Sequence, residues 1–268
     1  MPLHIHEDHE HKVYFIDPIN GDDNTESGSV YNPYRTIQAA LDDLRPIIEL
    51  TYGTYSESLT IPSGYGSNCP LIQSNNIDTD QETTITGTMT IPSGVAGLKC
   101  YGIKFDGNSQ TCIIDNGSDG GHYFDNCTFS NSGSNDCITI NNGRNAITIE
   151  GSIIDGDVNL SGTGVNSKVF IKSGINSHNC NISVNSGYDL EISYIEKMGL
   201  ISHSGGNIVC SNILSWEPDT NGYIINSSAN TPSTITVLYS NLTDDGVTYG
   251  TINRTGTATL KTSYNVES

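Results

Sequence analysis

The sequence predicts an all-β protein built as a single-stranded parallel β-helix with a short N-terminal capping helix, and three observations carry that expectation. The first is composition. The 268 residues include 28 Gly and 28 Asn, with 15% charged and 35% hydrophobic residues. Asn, Gly, Ser and Thr interleaved with Ile, Val and Tyr make short strands joined by tight turns, whereas disordered chains are rich in Pro, Lys and Glu. The second is a repeat: Leu59-Thr-Ile-Pro-Ser-Gly64 returns as Met89-Thr-Ile-Pro-Ser-Gly94, thirty residues on. The third is a cadence. An alternating strand runs into a small bend residue and a second short strand in the segments starting at Gly102, Asn126, Gly151, Ser173, Ser193, Ser211, Ser240 and Ser263, at intervals of 24, 25, 22, 20, 18, 29 and 23 residues. Three short strands per twenty-odd residues are what one coil of a parallel β-helix requires, each pairing with its equivalent one coil on. A sandwich of hairpins would show two-residue Asn-Gly turns between long strands instead.

Three segments follow from this reading: an arm over residues 1–12, a cap over 13–57 and β-helix coils over 58–268. The cap opens with a strand at Val13. Its helix is readable from Tyr34, Ile37, Leu41 and Leu44, which fall on one helical face, with Pro33 suited to the first turn and Pro46 expected to stop it. Strands ahead of the bends are Leu98–Tyr101, Ala146–Glu150, Lys168–Lys172 and Ile235–Tyr239. Third strands are Cys112–Asp115, Cys137–Ile140, Asn181–Val184 and Tyr223–Ile225. The last unit, Ala258 to Ser268, ends in a strand, which predicts a coil face of unpaired N–H and C=O groups. Self-association as a parallel trimer, or docking on capsid or tail proteins, is the expected remedy.

The stretches Val13-Tyr-Phe-Ile-Asp-Pro-Ile-Asn-Gly-Asp22, Asn32-Pro-Tyr-Arg-Thr-Ile-Gln-Ala-Ala-Leu41 and Ile48-Glu-Leu-Thr-Tyr-Gly-Thr-Tyr-Ser-Glu57 resemble the opening of the pectate-lyase-like superfamily. The resemblance covers about the first sixty residues and implies a right-handed β-helix, in which a strand, a Gly/Asp loop and a short helix cap the coil before a Gly-Thr-Tyr rung. Arg45-Pro46 departs from it, standing where the family usually carries a Gly-Asp turn.

Charge narrows the partners. Eleven Lys and Arg against 30 Asp and Glu give a net charge of -19, which repels nucleic acid, anionic membranes and polyanionic substrates. No apolar run reaches the roughly 18 to 20 residues that span a bilayer, and the N-terminus has no basic segment followed by an apolar one. A chain without a secretory signal, made in a host cytoplasm, is the expectation. Seven cysteines, an odd number with no Cys-x-x-Cys, read as reduced and packed rather than bridged or metal-binding.

Two sets of residues invite chemistry. His4, His6, His9 and His11, with Glu7, Asp8 and Glu10 between them, place His4 and His6 on one side of an extended strand. Three such arms on a trimer axis offer six nitrogens to one divalent metal such as Zn, Ni or Fe, an arrangement that resembles the metal-clamped trimers of some phage fibres and spikes; the plain alternative is a solvated arm that binds nothing, and no cofactor is required. Asp125 and Glu150, one coil apart, and Asp106 and Asp155, two coils apart, resemble in spacing the carboxylate pairs of glycosidases, about 5 Å in retaining and about 6.5–9.5 Å in inverting enzymes. Any ladder with acids on successive coils produces such distances, so solvated outward positions are the default. A lyase needs a strong base and charge-neutralising groups, and Arg35, Arg45, Arg144 and Arg254 are scattered. Tyr188, Tyr194, Trp216, Tyr223, Tyr239, Tyr249 and Tyr264 enrich the C-terminal third in rings that suit a sugar or a neighbouring subunit. The sequence therefore reads as a non-catalytic structural protein of a virus particle, a capsid decoration protein or a tail spike or fibre segment, located in the virion. As a trimeric rod it would stabilise the particle or display a host-glycan-binding surface. The alternatives are a depolymerase of host glycan and a surface adhesin.

Overall fold

A computed structural model describes residues 12–24, 28–75, 82–117, 119–131, 133, 135–141, 147–161, 167–172, 180–185, 188–216, 223–229, 233–238 and 251–263. Within them, twenty-five strands form three parallel sheets of eleven, nine and five strands, with one α-helix at Ile37–Asp42 and one 3-10 turn at Ser63–Tyr65. In each sheet a strand pairs with its counterpart from the coils before and after, never with a neighbour in sequence, apart from Val13–Ile16 and Ile47–Leu50, which the capping helix connects. This is the predicted parallel β-helix. No helix among the described residues is long and apolar enough to cross a membrane.

Alternation decides which side chains enter the coil. The inward file of the eleven-stranded sheet runs Ile48, Ile72, Cys100, Phe124, Ile149, Ile171, Ile192, Cys210, Val237. That of the nine-stranded sheet runs Leu59, Met89, Ile113, Ile138, Val158, Ile182, Ile201, Ile225. The five-stranded sheet contributes Tyr55, Ile85, Phe105, Phe129 and Ile154. All are buried. Phe105 and Phe129 stack with ring centroids 5.3 Å apart, and Phe124 meets both edge-on at 6.1 and 5.6 Å. Such ring pairs add about 0.5–1.5 kcal/mol each beyond area burial.

The predicted bend is a left-handed residue repeated in register. Gly102, Asn126 and Gly151 have φ of 66°, 50° and 58°, and each donates its backbone N–H to the next coil, to Asp125 O, Glu150 O and Lys172 O, all at 3.1 Å. Gly and Asn tolerate this region without the steric penalty of a bulkier side chain. Later coils differ from the expected cadence. Ser193 pairs with Ser211, which pairs with Leu238, which pairs with Ser263, so these residues precede the bend, and the left-handed residue is Asn212 at φ 52°. Among the described residues the five-stranded sheet ends at Ile153–Asp155. Beyond it, Tyr188–Met198 and Asn207–Trp216 run through the bend as single long strands, pairing Ile195 with Ile213 and Lys197 with Ser215.

The cap helix is shorter than its apolar pattern. It starts at Ile37, with Thr36 Oγ1 accepting the Ala39 N–H at 3.2 Å, so Pro33 and Tyr34 precede it. Glu57 reaches over from the first rung and accepts the N–H groups of Ile37 at 2.8 Å and Gln38 at 3.1 Å. The helix ends at Asp42, ahead of Pro46, because Leu44 adopts φ 54° while Arg45 N–H returns to Ala40 O at 3.1 Å. Arg45, the departure from the resembled pattern, is a tie: its guanidinium lies 4.5 Å from the Tyr14 ring centroid, donates to Tyr34 Oη from Nε at 3.0 Å and from NH2 at 2.8 Å, and pairs with Asp43 at 3.0 Å.

Candidate functional site

The predicted acid pairs occupy the outward faces of the coil. Asp125 and Glu150 are register partners on adjacent strands of the eleven-stranded sheet, flanked in the same file by Tyr101 and Lys172. Strand spacing therefore places their backbones about 4.8 Å apart. Glu150 is engaged: Tyr123 donates its phenol to Oε2 at 2.9 Å, and that bond to a carboxylate pushes the Tyr123 hydroxyl up to about 12. The Tyr123 ring in turn lies 5.7 Å from that of Tyr101. Asp125 Oδ1 lies 3.1 Å from where a Cβ on Gly151 would stand, so the carboxylate rests close against the bend glycine, whose φ is 58°.

Asp106 and Asp155 are two coils apart on the five-stranded sheet with Ser130 between them, as the spacing predicts. Asp106 accepts the Asn108 N–H at 2.9 Å and so shapes the turn that carries Asn108 and Ser109 at positive φ. Asp155 is exposed. The structure thus brings each pair together in register and faces both toward solvent. His4, His6, His9 and His11 lie outside the described residues. Among the described residues no group of three or more His, Cys, Asp or Glu stands close enough to hold a metal ion.

The cysteines line the interior. Six are buried and Cys69 is half-buried. Burial pushes Cys69 up to about 11 and Cys127 and Cys210 up to about 12. Cys112 and Cys137, twenty-five residues apart, are brought side by side: the Cys112 N–H donates to Cys137 O at 3.0 Å, and the neighbouring Cys112 thiol, with burial, raises Cys137. Each also donates to a backbone carbonyl of the following coil, Cys112 to Ser130 O at 3.1 Å and Cys137 to Asp155 O at 3.2 Å. The expectation of small packed thiols stands, with carbonyl capping added.

Tyr188 is not a surface ring; it is buried and its hydroxyl lies 2.7 Å from Ser161 O and 3.1 Å from Ile140 O. Tyr239, Tyr249 and Tyr264 lie outside the described residues, and only the backbones of Tyr194, Trp216 and Tyr223 are described.

Two features have no counterpart in the sequence reading. The first is buried imidazole. His122 accepts the Leu98 N–H on Nδ1 at 3.1 Å, and burial pulls it down to about 4. His203 bonds Ser227 Oγ at 2.9 Å and Gly206 O at 3.1 Å, and burial lowers it as well. Their signal was parity alone: each falls on the inward phase of an alternating strand. The second is a cleft of about 350 Å3 lined by Asp17, Ile19, Asn20, Thr51, Tyr52 and Asn75. Ile16, Leu50 and Ser74 are register partners, so the residues that follow them, Asp17, Thr51 and Asn75, stack at one corner of successive coils. Asp17 is partly desolvated, yet bonds from the Asn20 side chain and from the backbone N–H groups of Asn20 and Ile19 hold it below the usual carboxylate range.

No family model matches the chain, and no curated protein matches it. Solved structures do. The pectin methylesterase of Aspergillus niger in deglycosylated form is 14% identical, over 92% of this chain and 85% of that one, with a TM-score of 0.45. The Escherichia coli protein YbhC is 9% identical, over 98% and 87%, with a TM-score of 0.47.

Proposed function

We propose that the chain is a non-catalytic structural component of a virus particle, a capsid decoration protein or a segment of a tail spike or fibre, acting as a stiff trimeric β-helix. The observation that carries the reading is the use made of the paired candidate acids. Glu150 is held by Tyr123 and Asp106 by the Asn108 turn, on faces open to solvent, where a general acid needs a desolvated pocket that tunes it. Stiffness is supported by coil-to-coil pairing along three sheets. Association through the last strands, Thr251–Arg254 on Tyr223–Ser227 and Thr259–Ser263 on Thr234–Leu238, is part of the same proposal. Residues 1–12 are proposed as the arm that docks on the particle, with a divalent metal on the trimer axis as its clamp. Light scattering on purified protein is expected to give a trimer; a monodisperse monomer at micromolar concentration overturns the reading. Deleting residues 1–12 is expected to spare the melting curve and abolish co-sedimentation with the particle.

A depolymerase is the second reading, favoured by the register of Asp125 and Glu150. Reducing-sugar release is measured on host surface polysaccharide for the wild type and for Asp106→Asn, Asp125→Asn, Glu150→Gln and Asp155→Asn. No release is expected from any of them. A wild-type activity that one substitution lowers about a hundredfold in a folded protein transfers the chain to the enzymes.

A further inference from the structure

We propose that the cleft at the first three coils is a binding subsite for a neutral glycan, with Tyr52 as its stacking platform; the inference rests on reading the chain as a binding rod rather than an enzyme. A single apolar side chain left in water is ordinary on a protein surface, but here two of them line one cleft from different loops. Ile19, 72% exposed, comes from the turn after the first strand, and Tyr52, 55% exposed, from the corner after the second. Neither position is accidental to the backbone. Asp17 pins the Ile19 turn through three hydrogen bonds, and Gly53, at φ 139°, brings the Tyr52 corner so close to Pro18 that a Cβ there would stand 3.2 Å from its ring.

Around these two apolar surfaces stand amides and a hydroxyl. Asn75, whose backbone N–H bonds Leu50 O at 2.8 Å, lines the cleft as an exposed residue whose amide carries both a donor and an acceptor. Asn20 spends one N–H on Asp17 and keeps its carbonyl oxygen. A sugar ring has the matching form, one face of C–H groups and a rim of hydroxyls, and a cleft of about 350 Å3 is of ligand size. Charge selects within that class. Asp17 is ionised, no Lys or Arg lines the cleft, and the whole chain carries -19, so uronates and other acidic sugars are repelled and neutral hexoses or N-acetylhexosamines are admitted.

Saturation-transfer NMR on the intact protein tests this with cellotriose, maltotriose, mannotriose and chitotriose as probes and trigalacturonate as the anionic control. Transfer to at least one neutral trisaccharide and none to trigalacturonate is expected. Tyr52→Ala is expected to weaken that binding about tenfold and Asn75→Ala several-fold, while Tyr31→Ala, at a 95% exposed ring outside the cleft, leaves it unchanged. Silence from all four neutral probes at millimolar concentration, wild-type binding by Tyr52→Ala, or a preference for trigalacturonate overturns the subsite. Oligomeric state and sugar release are read separately, so such a failure leaves the structural role standing, and a monomer in light scattering leaves the subsite standing.

Discussion

Single buried groups set how this protein responds to acid and to thiol reagents. His122 titrates near its ordinary 6.5 in the unfolded chain but at about 4 when folded, because burial disfavours its charged form. Between those values the unfolded chain binds more protons than the folded one, so stability falls as pH drops from 6.5 to 4, by about 3 kcal/mol in total. Urea melts of wild type and His122→Asn, which keeps an acceptor for the Leu98 N–H, isolate the effect as a difference in slope over that window. Equal slopes overturn it. The same logic orders the thiols: in native protein Cys69 is expected to react first with an aromatic disulfide reagent, slowly because of its raised pKa, and the other six only on unfolding. An early second equivalent contradicts the packing. Inward packing of the cysteines was legible from their places beside bends and strand starts. The closeness of Cys112 and Cys137 was not, since their separation in sequence equals one coil and coil length becomes a contact only once register is known.

At the scale of the element, the N-terminal cap and the bends carry the sequence's clearest and least clear signals. Glu57 joins rung to helix, and burial raises its pKa above the ordinary 4.5 although two backbone N–H groups pull the other way. A raised folded value means the native state holds that proton more tightly, so this contribution is full below pH 4.5 and lost as pH rises through the folded value. Glu57→Ala is expected to cost about 1–2 kcal/mol by leaving the Ile37 and Gln38 N–H groups unpaired, and Glu57→Gln less while also removing the pH dependence; thermal melts at several pH values check both. A cap that melts identically in all three proteins contradicts the role. Ile37 and Leu41 were legible as a buried helix stripe, but Tyr34 and Leu44 shared their spacing and lie outside the helix, since periodicity does not report where Thr36 caps or where a left-handed residue ends the turn. The bend was legible at Gly102, Asn126 and Gly151, where composition marks the left-handed position. It was misplaced at Ser193 and Ser211 because the bend there runs inside one long strand and serine offered a false marker.

Across the whole molecule the coil is not uniform, and a solenoid's stability is close to a sum over coils and their interfaces. The middle coils have three sheets and the Phe105, Phe124 and Phe129 cluster. In the later coils a second inward file of the nine-stranded sheet, which holds the buried Asp115 in a middle coil, runs from Val184 to His203 and then Ser227. Ser233 adds a buried hydroxyl without a hydrogen-bond partner, a defect that costs about 1–3 kcal/mol. The aromatic packing of the middle coils and the unpartnered Ser233 hydroxyl of the later ones predict that the coils over 201–263 open more often than those over 89–160. Amide hydrogen exchange at micromolar and at tenfold lower concentration separates this intrinsic weakness from association. At the lower concentration the C-terminal strands are expected to exchange at least tenfold faster than the middle ones. At the higher, Thr251–Arg254 and Thr259–Ser263 are expected to gain protection as subunits assemble, while Phe105, Phe124 and Phe129 report no change. Uniform exchange along the chain refutes the gradient, and C-terminal exchange that ignores concentration refutes assembly through those strands.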